Sequence, residues 1–393
     1  MNNVPLWQSK NFGKVDKIFL MLGPQCNMVC RHCSQTPIKN CMSLNTKMDD
    51  KVFTMLDNYV RSAIREKAKK NIHFWGGEAL LHWNLIKEAI TYFTEKYNLL
   101  ENKLVSFSIT SNGLLLTDDK VEFLNNYNVG FTFSYDAPNP WAVRGYVSDE
   151  ICKRVNKIKY CTILSGYNAI NCDVVLTYKC LKAKFPKATI VCGYSLIYSF
   201  DLPEDTYTYD WNKVRKSFRR ICMATYKGYP FAVEYMKRYV PRFSYSKETH
   251  KKFIEDGIPA CLPLDSVCSV TIDGKLTICH NSDCSVGTID EPFDVLHEKF
   301  KKYFQSVRNP LCSTCRHNDY CATGCYINAK DENGAYYNCT KYLIPFIDIA
   351  KEELVKLCQG YTEEELAWFE EQNKKDEILV AEFLSGKKFA KDR

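Results

Sequence analysis

The chain has no long hydrophobic run and no charge excess large enough to define its partners. No stretch of its 393 residues approaches the roughly 18 apolar residues of a membrane span, and no basic segment followed by an apolar one opens the sequence. Lys and Arg number 53 against 46 Asp and Glu, and this net charge of +7 is too small to indicate nucleic-acid binding. Repeats and low-complexity segments are absent as well. We therefore expect a cytoplasmic globular protein that binds neither nucleic acid nor membrane.

Cysteine is the residue type that stands out, with 20 in the chain. Since no secretory signal is visible, disulfides are not expected, and the cysteines indicate metal ligands or buried thiols. Hydrophobic residues make up 46% of the sequence, so a sizeable core can form without covalent cross-links.

The first half of the chain alternates short apolar runs with amphipathic segments, as expected for βα units around a parallel sheet. We predict six strands, at Lys17–Leu22, Asn71–Trp75, Val105–Thr110, Val129–Tyr135, Cys172–Thr177 and Thr189–Ile197. Helical spacing of apolar residues predicts helices at Asp49–Lys69 and Leu85–Tyr97. The fold class is therefore α/β, with a partial (β/α)6 TIM-like barrel.

Composition divides the chain into four regions. Residues 1–205 form the barrel, and residues 206–260 form a helical linker with helices at Trp211–Tyr226 and Phe231–Tyr239. Residues 261–340 carry clustered cysteines among Gly, Asn and Asp, which predicts a small module folded around metal. Residues 341–393 form a helical tail, in which Thr362 and Glu365 predict a capping box.

Three cysteines follow the first predicted strand at CxxxCxxC spacing: Cys26, Cys30 and Cys33. Three thiolates in one short loop can bind three irons of a 4Fe-4S cluster and leave the fourth iron open to an exogenous ligand. Two alternatives stay open from the spacing alone, a chance cluster of thiols and a zinc site that takes a fourth ligand from elsewhere.

This loop resembles that of the radical S-adenosylmethionine (radical SAM) superfamily, in which the open iron is chelated by S-adenosylmethionine. The resemblance implies that His32, in place of the usual aromatic residue, lies near the adenine. Gly76, Gly77 and Glu78 resemble the family's GGE motif, which implies that Glu78 accepts a hydrogen bond from the methionine ammonium.

Two further motifs carry the resemblance at the ends of later strands. Ser111 and Asn112 resemble the family's TNG-like turn, although an Asx or ST turn explains them equally well. Ser134 and Arg144 resemble the SxDG…R pattern of the peptide-modifying branch, where Ser and Arg hold the methionine carboxylate; Ala137 replaces the usual Gly.

The later cysteines resemble the SPASM domain of radical SAM peptide and protein maturases. The resemblance implies two auxiliary 4Fe-4S clusters, so that the chain holds three in all. Auxiliary cluster one is assigned to Cys261, Cys268, Cys279 and Cys325, with Cys284 as an alternative to Cys268. Auxiliary cluster two is assigned to Cys312, Cys315, Cys321 and Cys339. A pair of structural zinc sites is the alternative, because four thiolates also suit zinc.

The resemblance implies cleavage of S-adenosylmethionine to a 5′-deoxyadenosyl radical that abstracts hydrogen from a peptide or protein substrate. Fully ligated auxiliary clusters would accept the electron left on the substrate, which favours an oxidative carbon–sulfur or carbon–carbon crosslink in a ribosomally made peptide. Formylglycine formation is the alternative, but sulfatase maturases place an Asp base where this chain has His280, which is a candidate base or a surface residue. A non-catalytic cysteine-rich zinc or iron–sulfur module is the non-enzyme alternative.

The expected partners are the substrate and an electron donor such as flavodoxin or ferredoxin. Twenty-five residues precede Cys26, too few for a separate leader-recognition domain. We therefore expect substrate recognition by the barrel, the module, the C-terminal helices or a separate leader-recognition protein.

Overall fold

A computed structural model describes the chain at residues 4–33, 47–196, 208–239, 264, 266–281, 285–307, 310–317, 341 and 344–386. Its centre is one nine-stranded sheet in the order β6-β5-β4-β3-β2-β1-β7-β8-β9. The strands are β1 Lys17–Met21, β2 Lys70–Trp75, β3 Val105–Ser111, β4 Gly130–Ser134, β5 Cys161–Tyr167, β6 Thr189–Leu196, β7 Val267–Thr271, β8 Lys275–Thr277 and β9 Ser285–Thr288.

Helices follow the strands along the chain. They are α1 Asp50–Glu66, α2 Trp83–Tyr97, α3 Leu99–Asn102, α4 Asp118–Asn126, α5 Pro140–Val143, α6 Asp149–Val155, α7 Val174–Lys184, α8 Trp211–Tyr226, α9 Pro230–Tyr239, α10 Phe293–Ser306, α11 Ile344–Gln359 and α12 Glu363–Leu384. Short 3-10 helices occur at Leu6–Gln8, Lys10–Lys14, Ala79–His82 and Pro310–Thr314. No helix in these described ranges is long and apolar enough to cross a membrane.

The α/β barrel predicted from the sequence is confirmed. Strands β1 to β6 are all parallel to their neighbours and alternate with helices. Alternate strand residues such as Ile18, Leu20 and Ile72 enter the main hydrophobic core, which also takes in the buried stripe of α1. The capping box of Thr362 and Glu365 starts α12, as predicted.

One predicted strand is wrong. Residues 172–177, expected as the fifth strand, begin α7, and the fifth strand is instead Cys161–Tyr167. The β-branched residues at 174, 175 and 177 favoured a strand, but the Asp173 side chain accepts a hydrogen bond from Leu176 N and caps a helix there. Because α7 buries residues on most of its sides, the helix lacks the amphipathic spacing that would have revealed it.

The cysteine-rich region continues the barrel sheet. Strand β7 pairs in parallel with β1 over five residues, and β8 and β9 follow as antiparallel strands. The boundary at residue 261 stays a prediction, and so do the other two, but the sheet contains strands from both sides of it. Residues 240–260 of the predicted linker lie outside the described residues. The same is true of six cysteines: Cys41, Cys261, Cys284, Cys321, Cys325 and Cys339.

Candidate functional site

The cysteine loop follows the carboxyl end of β1, where the sequence predicted it. Two side chains direct N–H groups at its sulfurs. Asn112 follows β3, and its Nδ2 lies 3.9 Å from Cys26 Sγ, while Arg144 ends α5, and its Nη1 lies 4.0 Å from Cys30 Sγ. Burial raises the pKa of the Cys30 thiol, and the neighbouring Cys33 and Cys26 sulfurs raise it further, against the opposing charge of Arg144. The three thiols are therefore close enough to influence one another.

This donor set suits an iron–sulfur cluster better than a single ion. Among the residues that the structure describes, no three His, Cys, Asp or Glu side chains are close enough together to hold one metal ion. A tetrahedral zinc with bonds of about 2.3 Å would need its sulfurs within about 4 Å of one another. A cluster spaces its ligands more widely, since each iron takes its own thiolate, and N–H groups that face the sulfurs favour the thiolate form.

The turn after β2 packs directly against the start of the cysteine loop. Gly77 N donates to Gly23 O at 2.9 Å, and Glu78 N donates to Gln25 O at 2.7 Å. A Cβ on Gly76, whose φ is +150°, would lie 2.6 Å from Gly23 O, and one on Gly77 would lie 2.3 Å from Gln25 O. The two glycines are thus required by the contact between two chain segments.

Glu78 is buried and serves as the centre of a hydrogen-bond network. Its carboxylate accepts from Leu80 N at 2.9 Å, from Ser111 Oγ at 2.7 Å and from Asn112 N at 2.8 Å. Burial raises the pKa of Glu78, and these three donors oppose that rise. An ionised carboxylate accepts at about four lone-pair sites, so the network leaves capacity for one further donor.

Asp136 joins His32 to Arg144 at the end of β4. Its Oδ2 lies 2.5 Å from Arg144 Nε and 3.3 Å from His32 Nε2, while its Oδ1 accepts from Ser165 Oγ and Gly166 N. Burial raises the pKa of Asp136, but the charge of Arg144, with smaller contributions from the nearby His32 and the two hydrogen bonds, outweighs it, so the net pKa is lowered. Burial also lowers the pKa of His32 to about 4, so this imidazole is neutral.

The remaining predicted ligand contacts lie at the same edge of the sheet. Asn112 donates from Nδ2 to Asn27 Oδ1 at 2.8 Å, inside the cysteine loop, and also accepts from Leu114 N in an Asx turn. The Asx turn that was the alternative interpretation of Asn112 is therefore present. Ser134 closes β4 and is half-buried. The assignment of all these residues to S-adenosylmethionine stays a prediction.

Cys268 and Cys279 of the first auxiliary set have different surroundings. Cys268 is in register with Ile18 on the face of the sheet that packs against α1, where it is fully buried, and burial alone raises its pKa to about 12. Cys279 Sγ lies 3.9 Å from the His280 ring, which stacks on Phe19 on the other face of the sheet. Cys279 also packs against the main hydrophobic core that contains Cys268, so the assignment of both residues to auxiliary cluster one stays a prediction.

Of the second auxiliary set, the described residues include Cys312 and Cys315. They lie at a tight turn in which Cys315 N donates to Cys312 O at 3.3 Å and His317 N donates to Cys315 Sγ at 3.5 Å. Both cysteines are half-buried, as expected for ligands of a cluster in a small module. The other members of both sets lie outside the described residues, so the two four-cysteine assignments stay predictions.

His280 is placed inside the barrel. Its ring stacks on Phe19 with centroids 4.2 Å apart and meets the edge of Trp75 at 4.9 Å. Burial, together with the charge of Lys17, lowers its pKa to about 4. The neutral imidazole keeps an acceptor nitrogen, which a base requires, but no described contact assigns it that role.

Sequence reasoning missed the contribution of Asp136, although the residue stands inside the motif that was recognised. It also missed the inner face of the barrel, where His73 is hydrogen-bonded by Ser108 Oγ at 2.7 Å and Thr110 Oγ1 at 2.8 Å. Alternation along β2 and β3, which places His73 and both hydroxyls on one face, was the available signal.

The fold and the site together define a partial barrel whose first strand leads into a three-cysteine loop bordered by a GGE turn. This is the arrangement of a radical SAM domain. In agreement, the family model of the radical SAM superfamily matches residues 20–168. Residues 20–168 therefore constitute a radical SAM domain.

Individual relatives agree with this assignment. The radical SAM cyclopropyl synthase TigE of Paramaledivibacter caminithermalis is 29% identical over 165 residues, which cover 39% of this chain and 34% of TigE. This chain thus spans about a third of the curated relative that it matches.

Two solved structures share the fold over most of the chain. The structure of hexahistidine-tagged anSMEcpe with bound AdoMet has a TM-score of 0.59 at 17% identity. The match covers 87% of this chain and 99% of the anSMEcpe chain. Streptococcus suis SuiB bound to precursor peptide SuiA has a TM-score of 0.51 at 15% identity and covers 80% of this chain and 72% of its own.

Proposed function

We propose that this protein is a radical SAM enzyme that cleaves S-adenosylmethionine and oxidatively modifies a peptide or protein. The observation that carries the proposal is the cysteine loop that follows β1, with Asn112 and Arg144 directed at two of its sulfurs. Cys26, Cys30 and Cys33 would hold a 4Fe-4S cluster. When bound, that cluster supplies the electron, and S-adenosylmethionine the 5′-deoxyadenosyl group, for radical formation.

Glu78 and Arg144 are suited to hold the two charged ends of a methionine group. Glu78 keeps one acceptor site beyond its three intrachain hydrogen bonds, and a cationic donor there would offset the burial of its carboxylate. Arg144 is fixed at Nε by Asp136, which orients the rest of its guanidinium toward the cysteine loop, where a carboxylate can bind. Losing either contact is expected to weaken binding roughly ten- to hundredfold.

The substrate class rests on the structural neighbours and on the later cysteines. One neighbour is anSMEcpe with bound AdoMet and Cp18Cys peptide, and another is SuiB bound to precursor peptide SuiA. A peptide is therefore the substrate that we propose for this chain. The proposed electron donor is an external protein such as flavodoxin or ferredoxin. A separate leader-binding protein is an optional partner in substrate recognition.

We further propose that the product is a carbon–sulfur or carbon–carbon crosslink between side chains of a ribosomally made peptide. Such a crosslink removes two hydrogen atoms from the substrate. His280 stands where sulfatase maturases carry Asp, which disfavours formylglycine. Two auxiliary clusters, held by the later cysteines, complete this proposal.

The test uses anaerobically reconstituted protein with S-adenosylmethionine and a chemical reductant. Wild type should form 5′-deoxyadenosine and contain about 12 irons, whereas the variant Cys26→Ala/Cys30→Ala/Cys33→Ala should form none and lose about four irons. If the triple variant still forms 5′-deoxyadenosine, the proposed cluster site is wrong. A brown colour without zinc in wild type excludes the structural zinc module.

The reaction class is tested by incubating the reconstituted enzyme anaerobically with a candidate precursor peptide. A crosslinked product should be about two mass units lighter per event, with at least one 5′-deoxyadenosine formed per crosslink. A product of unchanged mass or one with an added methyl group would contradict the crosslinking proposal while leaving radical SAM chemistry intact. An aldehyde at a single Cys or Ser would support formylglycine formation instead.

A further inference from the structure

The inner face of the barrel carries a cluster of four rings beneath the GGE turn. Phe19 lies 5.0 Å from His73, 5.9 Å from Trp75 and 4.2 Å from His280, measured between ring centroids. His73 and His280 also approach Trp75, at 5.6 and 4.9 Å. We call these four residues the inner ring cluster. Trp75 immediately precedes Gly76, so the cluster extends to the edge of the proposed S-adenosylmethionine site.

Lys17 places its ammonium on this cluster. Its Nζ lies 4.3 Å from the centroid of the Phe19 ring, and its charge contributes to lowering the pKa of His73 and of His280. Lys17 is half-buried, and burial lowers its own pKa. Within the described part of the chain, no carboxylate lies within 4.0 Å of it.

Other partly or fully buried lysines of the barrel are compensated by polar groups. Lys70 Nζ donates to Ser62 Oγ at 2.8 Å, and Lys179 Nζ lies 2.7 Å from Asp376 Oδ2. Among the residues that the structure describes, the Lys17 ammonium has an aromatic face as its neighbour, which offsets part of the cost of desolvating it. An anionic group that entered the barrel would remove the rest of that cost.

We propose that Lys17, seated on the inner ring cluster, binds a carboxylate of the peptide substrate, so that the preferred substrates are acidic. This inference rests on the proposed function, since it assumes that a peptide enters the barrel. Lys17 and Met21 are four residue steps apart on β1, a distance of about 13 Å along the strand. An extended peptide covers that distance in about four residues, so the acidic residue should lie within about four positions of the modified one.

The test measures peptide binding apart from chemistry. The probe is a library of N-acetylated, C-amidated heptapeptides randomised at every position, incubated anaerobically with immobilised holoenzyme and S-adenosylmethionine. Retained peptides are sequenced by mass spectrometry, and the frequency of Asp and Glu is compared with the input. Wild type should enrich acidic peptides at least threefold.

The variants separate charge from packing. Lys17→Met should abolish the enrichment, while Lys17→Arg, which keeps a cation, should retain it. Lys120→Met is the matched control, because Lys120 is also half-buried with its ammonium 5.7 Å from a ring centroid, that of Trp83, outside the barrel. This control should enrich acidic peptides as wild type does.

The outcomes distinguish the two proposals. If wild type retains peptides without acidic enrichment, or if Lys17→Met enriches them equally, the carboxylate site is wrong and the proposed function stands. If wild type retains no peptide at all, the peptide substrate itself is contradicted. Iron content should be unchanged in Lys17→Met, and a loss of iron would show that the ammonium offsets the charge of a cluster instead, which overturns the proposal.

Discussion

Asp136 determines the position of two side chains that border the cysteine loop. Its carboxylate is fully buried and faces Arg144 and His32. It therefore both balances the charge of the Arg144 guanidinium and orients that group. Removing one partner of a buried pair leaves the other charge uncompensated, and this is more costly than losing the attraction itself.

We predict that Asp136→Asn lowers the free energy of unfolding by roughly 3–5 kcal/mol and weakens S-adenosylmethionine binding. Stability is measured by denaturant unfolding, and binding by calorimetry on anaerobic protein. The control is Asp118→Asn, which removes the exposed partner of Lys157 and Arg154 and should leave both quantities unchanged. Equal effects of the two substitutions would contradict the role assigned to Asp136.

The two cysteines of the β7–β8 region differ in environment and should differ in iron binding. Cys268 faces α1 with a pKa raised to about 12 by burial, whereas Cys279 is partly exposed beside His280. We predict that Cys268→Ala retains the wild-type iron content and that Cys279→Ala loses about four irons per chain. Iron and sulfide analysis of the reconstituted proteins decides the matter. Loss of iron in Cys268→Ala would support its assignment to auxiliary cluster one and contradict this prediction.

Helix α12 is attached to the barrel by a buried ion-pair network. Arg220 on α8 contacts both Asp376 on α12 and Asp173 at the start of α7, and Lys179 on α7 lies 2.7 Å from the Asp376 carboxylate. Asp376 is 3% exposed. The network therefore connects the C-terminal helix to two helices that pack on the sheet.

Substituting Asp376→Asn should lower the free energy of unfolding by roughly 3–5 kcal/mol, because it leaves Arg220 short of one buried counter-charge. It should also make α12 more susceptible to limited proteolysis. Glu371→Gln, which removes an exposed pair with Lys375 on the same helix, serves as the control and should change neither measurement. If the Asp376 variant is as resistant as the control, α12 is held by its apolar contacts alone.

At the scale of the whole molecule, the cysteine-rich region is part of the barrel sheet. Strand β1 lies between β2 and β7, so removing β7 leaves the backbone groups along one side of β1 without partners. It also uncovers core residues that contact α1. The two regions should therefore depend on each other for folding.

We predict that a fragment comprising residues 1–260 aggregates when expressed alone and becomes soluble when residues 261–393 are co-expressed as a second chain. The expected product is a 1:1 complex in size-exclusion chromatography, with a single thermal transition. A soluble, cooperatively folded fragment 1–260 on its own would show that the barrel does not need β7.

The sequence by itself determined the features that depend on neighbouring residues. Alternating apolar patterns located five of the six barrel strands, the capping box located the start of α12, and the cysteine spacing located the loop after β1. These signals are local, because a strand's pleat, a helix cap and a ligand loop are each formed within a few residues.

Only the tertiary structure decided what depends on contacts between distant segments. Residues 172–177 became helical because the capped and buried α7 overrides their strand propensity. Cys268 faces the core because of the register in which β7 pairs with β1, and cysteine spacing does not predict that register. A register shift of one residue would turn the Cys268 side chain to the other face of the sheet. Lys17 lies on an aromatic cluster for the same reason, since two strands, β1 and β2, and the segment after β8 must meet before that surface exists.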